Sequence, residues 1–199
     1  MTVATARRER LADAAIDTLA REGLRGLTHR AVDRTAGVPE GSCSYYFRTR
    51  QALLTAAVDR LAELDAADIA ALPAPPDPTE LGENDAVEAL ARMVERWVTT
   101  GRVQMLARYE LALEATRRSE LRVMLVAAGV RFRAIAEGLL AAMGAAEPAR
   151  QAPIFVACLD GLIFDHLAGA GALELKPDEL RAALRDLLRA FTGPGRRAD

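Results

Sequence analysis

Residues 37–50 read GVPEGSCSYYFRTR, and this stretch decides the fold. Two glycines stand four positions apart at its start, small hydroxyl and thiol residues follow, and an aromatic triplet precedes two arginines. The stretch has no spacing typical of metal ligands. Hydrogen-bond donors and aromatic rings gathered beside a tight turn indicate a surface that contacts a partner.

Two short helices are predicted on either side of the turn at 37–38. The first covers 28–36, with Thr28 as its N-cap. The second has Pro39 at its first helical position and ends near residue 47. A glycine-containing turn between two short helices is typical of a helix-turn-helix.

A longer helix over 4–22, ended by Gly23, precedes this pair and places Leu11, Ala15 and Leu19 on one face. Three helices in this order fit a small DNA-binding head, although an ordinary pair of surface helices, with Tyr45, Tyr46 and Phe47 in a small core, gives the same pattern. In such a head the last helix brings its N-terminal residues to base edges in the major groove. Backbone N–H groups at the start of that helix are expected to attract phosphate.

The composition favours helices along the whole chain. Ala, Leu, Arg and Glu dominate, 51% of the residues are hydrophobic and 27% are charged, so an all-α globular protein is predicted. The net charge of −2 is unevenly distributed. Residues 1–60 carry ten arginines against seven acids, and the remainder carries sixteen basic residues against twenty-one acids. An arginine-rich head on an acidic body is expected to meet an anion, although a solvated helix surface gives the same charge pattern.

Cellular location is predicted from what the sequence contains. Cys43 and Cys158 form no C-x-x-C motif and suit a reducing cytoplasm. The arginine-containing N-terminus shows no apolar core of a secretory signal. The most apolar run, 152–173, is interrupted by two aspartates and a histidine, so we expect a buried helix and no membrane span.

A proline-rich segment, PAPPDPTE at 73–80, follows a long predicted helix over 50–72. Four prolines in eight residues do not fit a helix, so this segment is predicted to be a loop. Helical periodicity then resumes and continues to a last helix opened by Pro177. The predicted organisation is a head over 1–50 and a helical-bundle domain over 51–199, joined by the long helix.

The segment RERLADAAIDTLAREGLRGLTHRAVDRTAGVPEGSCSYYFRTRQALL resembles the N-terminal domain of TetR-family transcriptional regulators. The features that carry the resemblance are the Ala-Ala pair of the first helix, the Ala-Gly-Val turn, the Gly-Ser start of the third helix and its Tyr-Phe end. They cover about the first sixty residues. The resemblance implies a three-helix DNA-binding head and a C-terminal domain for ligand binding and dimerisation.

The resemblance also implies which residues contact DNA, with phosphate contacts at the helix starts and base contacts from the third helix. The predicted DNA-binding residues are Thr28, His29, Arg30, Glu40, Gly41, Ser42, Ser44, Tyr45, Tyr46, Arg48 and Arg50. Ser44 stands where the family very often has tyrosine, and Glu40 stands where a basic or small residue is frequent. Glu40 would be repelled by phosphate but could accept a hydrogen bond from cytosine N4. Cys43 replaces an aliphatic residue and is expected to be buried.

For the body, the resemblance implies a homodimer and a cavity for a small inducer. The last two helices are the predicted dimer surface, with Leu159, Leu162, Ile163, Leu184, Leu187, Leu188 and Phe191. An apolar or aromatic ligand is predicted to contact Met93, Trp97, Met105, Tyr109, Met124, Phe132, Phe155 and Cys158, each of which could equally be core. No cofactor and no metal site is predicted, because His166 beside Asp165 has no second ligand at a suitable spacing.

These features predict a cytoplasmic, dimeric repressor that leaves a palindromic operator when a small molecule binds. Two alternatives stay open. One is a DNA-binding dimer without a small ligand, and the other is a helical-bundle enzyme. The sequence disfavours the enzyme because it contains two histidines, no Glu-x-x-His pair, no nucleophile elbow and no P-loop.

Overall fold

The structure is a computed structural model that describes residues 3–70, 81–171 and 173–193. These residues form nine α-helices and no β-strand, which confirms the predicted all-α class. The helices are α1 (Val3–Gly26), α2 (His29–Ala36), α3 (Ser42–Tyr46), α4 (Arg50–Ala70), α5 (Glu83–Val98), α6 (Arg102–Ala115), α7 (Ser119–Ala142), α8 (Pro148–Ala168) and α9 (Pro177–Thr192). The proline-rich loop predicted at 73–80 lies outside the described residues.

The chain packs as two compact units. The N-terminal unit comprises Met1–Ile69 and Gly101–Ala128, and the C-terminal unit comprises Ala70–Thr100 and Gly129–Asp199. The head helices α1 to α3 therefore share a unit with α4, α6 and the first part of α7. The division at residue 50 that the sequence suggests stays a prediction.

The core of the N-terminal unit is continuous from the head into α6. Phe47, at the end of α3, is fully buried, and Ala107 and Leu111 of α6 belong to the same apolar cluster. The α6 helix packs along α1, and Glu110 of α6 lies close to Gly23, where the backbone of α1 breaks at φ 65°. The head thus depends on α6 for part of its burial.

Side-chain caps fix the starts of α2 and α4, and the cap of α2 is the predicted one. The Thr28 hydroxyl accepts a hydrogen bond from the backbone N–H of Ala31 at 3.1 Å, and the Thr49 hydroxyl accepts one from Ala52 at 3.0 Å. Each cap satisfies a donor that the first helical turn leaves without an intrahelical partner.

The prediction for Pro39 is wrong. Pro39 precedes α3 instead of opening it, and the helix begins at Ser42 with Gly41 as its N-cap. Gly41 has φ 90°, a conformation that favours glycine, and a Cβ there would meet nothing within 4 Å. The positive φ alone therefore explains why position 41 is a glycine.

In the C-terminal unit, α5, α8 and α9 pack on one another. The α8 helix buries Ala152, Phe155, Leu159, Ile163 and Leu167. Its opposite side is exposed, so the expectation of a fully buried helix is only half right. We call Ile154, Ala157, Cys158, Gly161 and Phe164 the outer face of α8; all five are exposed.

Candidate nucleic-acid interface

The α3 helix divides its residues between the core and solvent. Cys43 and Phe47 are buried, whereas Ser44, Tyr45 and Arg48 are exposed. Tyr45 is 78% exposed, and its ring meets the half-buried Tyr46 edge to face at a centroid distance of 5.1 Å. This pair therefore offers an aromatic face and two hydroxyls to a partner.

A residue that the sequence reasoning missed holds the start of α3. Asp33 of α2 is only 1% exposed, and its Oδ2 accepts a hydrogen bond from the N–H of Gly41 at 2.8 Å. Its Oδ1 accepts one from the N–H of Cys43 at 2.7 Å. These two N–H groups are consequently unavailable to phosphate, and the expected phosphate contact at the start of α3 stays a prediction for the other N–H groups there. The sequence signal is an acid beside the apolar residues Ala31, Val32 and Ala36, which form the buried side of α2.

The start of α2 lies beside the end of α3. The Nε2 of His29 donates a hydrogen bond to the carbonyl oxygen of Phe47 at 2.5 Å. Thr28 remains exposed while it caps α2. His29 therefore links the two helices through one ring nitrogen and has only the other for DNA.

Arg30 and Glu40 form an exposed ion pair at 3.2 Å. Exposed pairs of this kind contribute little to stability and are screened by salt. The pair lies beside a groove that also includes Asp33 and Arg34. Because solvent screens the pair, either side chain can exchange its partner for DNA.

Other predicted contacts are used partly within the protein. Arg50 donates from Nη2 to the carbonyl oxygen of Leu24, which fixes α4 to the end of α1 and weakens the prediction of a phosphate anchor. The hydroxyls of Ser42 and Ser44 donate to the carbonyl oxygens of Pro39 and Gly41 at 2.7 Å and 2.9 Å. Both serines retain oxygen lone pairs but spend their donors locally.

The environment of the Cys43 thiol disfavours its reactive thiolate form. Burial raises the pKa of Cys43 to about 12, and the nearby Asp33 carboxylate adds to the shift. The reactive species of a cysteine is the thiolate. Redox sensing by Cys43 is therefore disfavoured.

A buried ion pair joins α4 to α6 in the N-terminal unit. Arg108 of α6 donates from Nη2 to Oδ1 of Asp65, whose side chain is 10% exposed. Burial raises the pKa of Asp65, and the Arg108 guanidinium opposes this shift without cancelling it. The pair fixes the C-terminal half of α4 to the helix that also packs along α1.

The predicted ligand residues lie in both units. Met105, Tyr109 and Met124 belong to the N-terminal unit, and Met93, Trp97, Phe132, Phe155 and Cys158 belong to the C-terminal unit. Trp97 is buried, and its ring meets Phe132 edge to face at 5.7 Å. Cys158 lies on the exposed outer face of α8 and not with these buried aromatic rings. The ligand assignment stays a prediction for every residue.

The predicted dimer residues divide by exposure. Leu159, Ile163, Leu184 and Leu188 are buried within this chain, whereas Leu162, Leu187 and Phe191 are half-buried. Phe191 meets Phe155 edge to face at 5.5 Å. The four buried leucine and isoleucine side chains pack in the core of this chain. The prediction that they contact a second copy directly is therefore corrected. The outer face of α8 is an apolar surface that stays exposed, and α7 also exposes Val123, Val126 and Val130.

Two further tests concern metal ions and membranes. Within the described ranges, no group of three or more His, Cys, Asp or Glu side chains could hold a metal ion. His166 instead donates from Nδ1 to the carbonyl oxygen of Leu173 at 3.0 Å. Among the described helices only α8 has the length and mean hydropathy of a membrane span, and such a single helix is weak evidence for one.

Comparison with protein families decides what this architecture is. A family model described as the C-terminal domain of Tetracyclin repressor-like proteins matches residues 81–192, which is more than half of the chain. A second model, described as bacterial regulatory proteins of the tetR family, matches residues 11–57. The chain belongs to the TetR family of transcriptional regulators. The family resemblance of residues 8–54 and the predicted helix-turn-helix DNA-binding head are therefore confirmed.

Solved structures agree with this assignment. A TetR-family member from Streptomyces coelicolor A3 is 32% identical, with 91% of this chain and 97% of that chain covered and a TM-score of 0.69. The multidrug binding protein EbrR complexed with ethidium is 33% identical, with 91% and 98% covered and a TM-score of 0.68. A transcriptional regulator from Rhodococcus sp. Rha1, 23% identical, shares the fold with a TM-score of 0.79 and coverage of 96% and 99%. A comparison with curated proteins returns no match.

Family membership limits the alternatives. TetR-family regulators are generally non-enzymatic DNA-binding proteins, which makes the helical-bundle enzyme a poor reading of this regulator. Family membership alone does not identify the residues that contact DNA, the dimer surface or the ligand.

Proposed function

We propose that this TetR-family regulator is a cytoplasmic, dimeric repressor that releases a palindromic operator when a small molecule binds its C-terminal domain. The observation that carries the proposal is the division of α3 into a buried side and an exposed side with Tyr45 and Arg48. A recognition helix needs its outward side chains exposed and its inward side chains fixed by the core.

Dimerisation is proposed from the outer face of α8. Ile154 and Phe164 on this face are 49% and 42% exposed, although the helix carries an apolar core on its other side. Gly161 lies between them with open space where a Cβ would stand. A second copy packed there would bury these side chains and allow close helix approach. Dimeric helix-turn-helix proteins bind half-sites about 34–36 Å apart or multiples of that.

The ligand is proposed to be a flat aromatic molecule, and more specifically a cationic one. EbrR structures 33% to 35% identical to this chain contain ethidium, proflavin or malachite green, all of which are aromatic cations. In this regulator the buried Trp97 and the half-buried Phe132 supply aromatic edges and faces that suit such a ring.

The release step is proposed to pass through α6. Met105 and Tyr109, two of the candidate ligand residues, lie on α6, which also packs along α1 and holds Asp65 of α4 through Arg108. A displacement of α6 therefore reaches two helices of the N-terminal unit at once. A coupling free energy of about 1–3 kcal/mol would reduce DNA affinity about 5–150-fold.

The proposal is tested with DNA and dye together. First, the duplex preferred by the wild-type protein is selected from a pool of random-core duplexes. Malachite green is then titrated into the protein without DNA, while the fluorescence of Trp97, the single tryptophan, is followed. We expect quenching, and release of the duplex over the same dye range. Dye that acts by binding the duplex would release the variant Trp97→Ala equally well, and that result would contradict ligand control.

The alternative function is a DNA-binding dimer without a small ligand. It would show selection of a palindromic duplex and no change in Trp97 fluorescence with malachite green, ethidium or proflavin. The exposed outer face of α8 supports a dimer in either case.

A further inference from the structure

The Asp33 carboxylate lies under the start of the recognition helix and contacts its backbone from another helix. It is 1% exposed, and both of its oxygens accept backbone hydrogen bonds, from Gly41 at 2.8 Å and from Cys43 at 2.7 Å. The backbone carbonyl oxygen of the same residue accepts a third, from the N–H of Val38 at 3.0 Å. One residue of α2 therefore holds the turn and the first turn of α3 together.

The α3 helix cannot supply this order by itself. It has five residues, and the glycine at its N-cap has no side chain to accept from the helical N–H groups. Helices this short are unstable alone, because nucleation fixes several residues for very few hydrogen bonds. A carboxylate at a helix start also interacts favourably with the helix dipole. Asp33 thus takes the part of a capping side chain.

The remaining contacts of α3 leave its N-terminal end dependent on this residue. Cys43 and Phe47 are buried on the inner side, and His29 bonds to the Phe47 carbonyl at the C-terminal end. At the other end, the Ser42 N–H and hydroxyl bond only to the Pro39 carbonyl within the turn itself. Apolar packing resists separation of the helices, but directional hydrogen bonds fix rotation and tilt.

We propose that Asp33 is a positioning residue for DNA recognition, which sets the tilt of α3 so that Ser44, Tyr45 and Arg48 face the duplex. Asp33 touches no DNA itself. This inference rests on the proposed DNA contacts of α3. It predicts that DNA affinity depends on the position of two carboxylate oxygens on the far side of the helix from the duplex.

The test uses the full-length protein and the duplex selected by the wild type. In Asp33→Asn the side-chain amide presents a donor to one of the two N–H groups, so one hydrogen bond is lost with almost no change in volume. In Asp33→Glu the charge remains but the oxygens move. We expect both variants to bind the duplex about tenfold to 100-fold more weakly, and the amide hydrogens of Gly41 and Cys43 to exchange faster.

Thr18→Val is the matched control within the head. Thr18 is also fully buried, and its hydroxyl donates to the Ala14 carbonyl at 2.7 Å and lies 3.1 Å from the Thr35 hydroxyl, away from α3. It should lower the free energy of unfolding while leaving DNA affinity near that of the wild type. A loss of affinity in Thr18→Val as large as in Asp33→Asn would overturn the proposal, because the effect would then be general destabilisation.

A second readout is independent of DNA. Because the Asp33 charge contributes to the raised pKa of the Cys43 thiol, Asp33→Asn should lower that pKa while Cys43 stays buried.

Unchanged exchange of the Gly41 and Cys43 amides would overturn the proposal, as would faster exchange with unchanged affinity. If Tyr45→Ala leaves affinity unchanged while Asp33→Asn reduces it, the DNA contacts are wrong and the positioning role survives. If Asp33→Asn does not fold, Asp33→Glu carries the same test.

Discussion

The N-terminal and C-terminal units of this regulator differ in what holds their helices together. In the N-terminal unit, a continuous apolar cluster extends from Leu11 to Leu121 and buries polar links such as Asp33 to α3. In the C-terminal unit, α5 is fastened to α9 by pairs nearer the surface, such as Glu88–Arg181 at 2.7 Å. The C-terminal unit also leaves the outer face of α8 exposed.

The difference separates two tasks. A DNA-reading surface needs side chains at fixed positions, and buried directional bonds provide this within one chain. A surface that leaves Ile154 and Phe164 exposed gains from a second copy of the chain. We therefore interpret the start of α3 as fixed by contacts within the chain and the outer face of α8 as a surface whose burial is completed by association.

The largest expected effect concerns the buried pair that joins α4 to α6. Asp65→Ala removes the buried carboxylate that the Arg108 guanidinium contacts, and we expect a loss of about 3 kcal/mol in the free energy of unfolding. The double variant Asp65→Leu/Arg108→Met should lose less, because no buried charge remains uncompensated. Urea denaturation measures both. Equal losses in the single and double variants would show that the pair is not a buried polar link.

The next effect tests whether the C-terminal unit is completed by a second copy. Gly161→Arg adds a charged side chain to the outer face of α8, where the single chain has open space. The monomer should fold, and the dimer should dissociate at least about 100-fold more readily, which corresponds to about 2.7 kcal/mol. Sedimentation over a range of concentrations measures this. Gly138→Arg, on an exposed and equally open site of α7, should leave the dimer intact; the reverse pattern would place the interface on α7.

The two cysteines provide a smaller test of the same contrast. Cys43 is buried with a pKa raised to about 12, and Cys158 is exposed. In the monomeric variant Gly161→Arg, where the outer face of α8 is uncovered, a thiol reagent at pH 8 should modify Cys158 at least about tenfold faster than Cys43, because Cys43 is almost entirely in the thiol form. Mass spectrometry of peptides measures both rates. Fast modification of Cys43 in the folded protein would contradict the buried environment of α3.

The pKa of Cys43 also has a consequence for stability. A group whose pKa is raised on folding contributes stability that is present below its unfolded pKa, 9.0 for this thiol, and that is lost as the pH rises towards about 12. The wild type should therefore lose stability over this range more steeply than Cys43→Ala.

The smallest effect concerns the surface pairs of the C-terminal unit. Glu83 accepts from Arg189 at 2.8 Å and lies 3.3 Å from Arg185, and all three side chains are at least 30% exposed. Glu83→Gln should lower Tm by about 1–2 °C, and the difference should disappear at high salt because exposed pairs are screened. A large, salt-independent loss would mean that this unit, too, depends on fixed polar links.

Much of the fold follows from the sequence, because caps and helical periodicity are local signals. Thr28 and Pro177 mark helix starts as predicted. Pro39 is an exception, since Gly41 with its positive φ is the N-cap and the helix starts at Ser42, three residues later than a helix opened by Pro39.

The site is less accessible to sequence reasoning, because it depends on tertiary contacts. The α8 helix is apolar on several sides, so periodicity does not reveal which side the chain itself covers. Leu159 and Ile163 were predicted at the dimer surface and are buried, whereas Ile154 and Phe164 are exposed. In the sequence Asp33 appears only as a charge, because the backbone N–H groups that it binds, those of Gly41 and Cys43, lie beyond the turn.

The central claim is that the outward side of α3 reads duplex DNA, and the variant Tyr45→Ala/Tyr46→Ala tests it most directly. Its affinity for the duplex selected by the wild type is measured by fluorescence anisotropy at several salt concentrations, with sedimentation and thermal melting as controls. We expect affinity to fall about 100-fold while the protein stays folded and dimeric. Wild-type affinity of the folded double variant at every salt concentration would contradict the account.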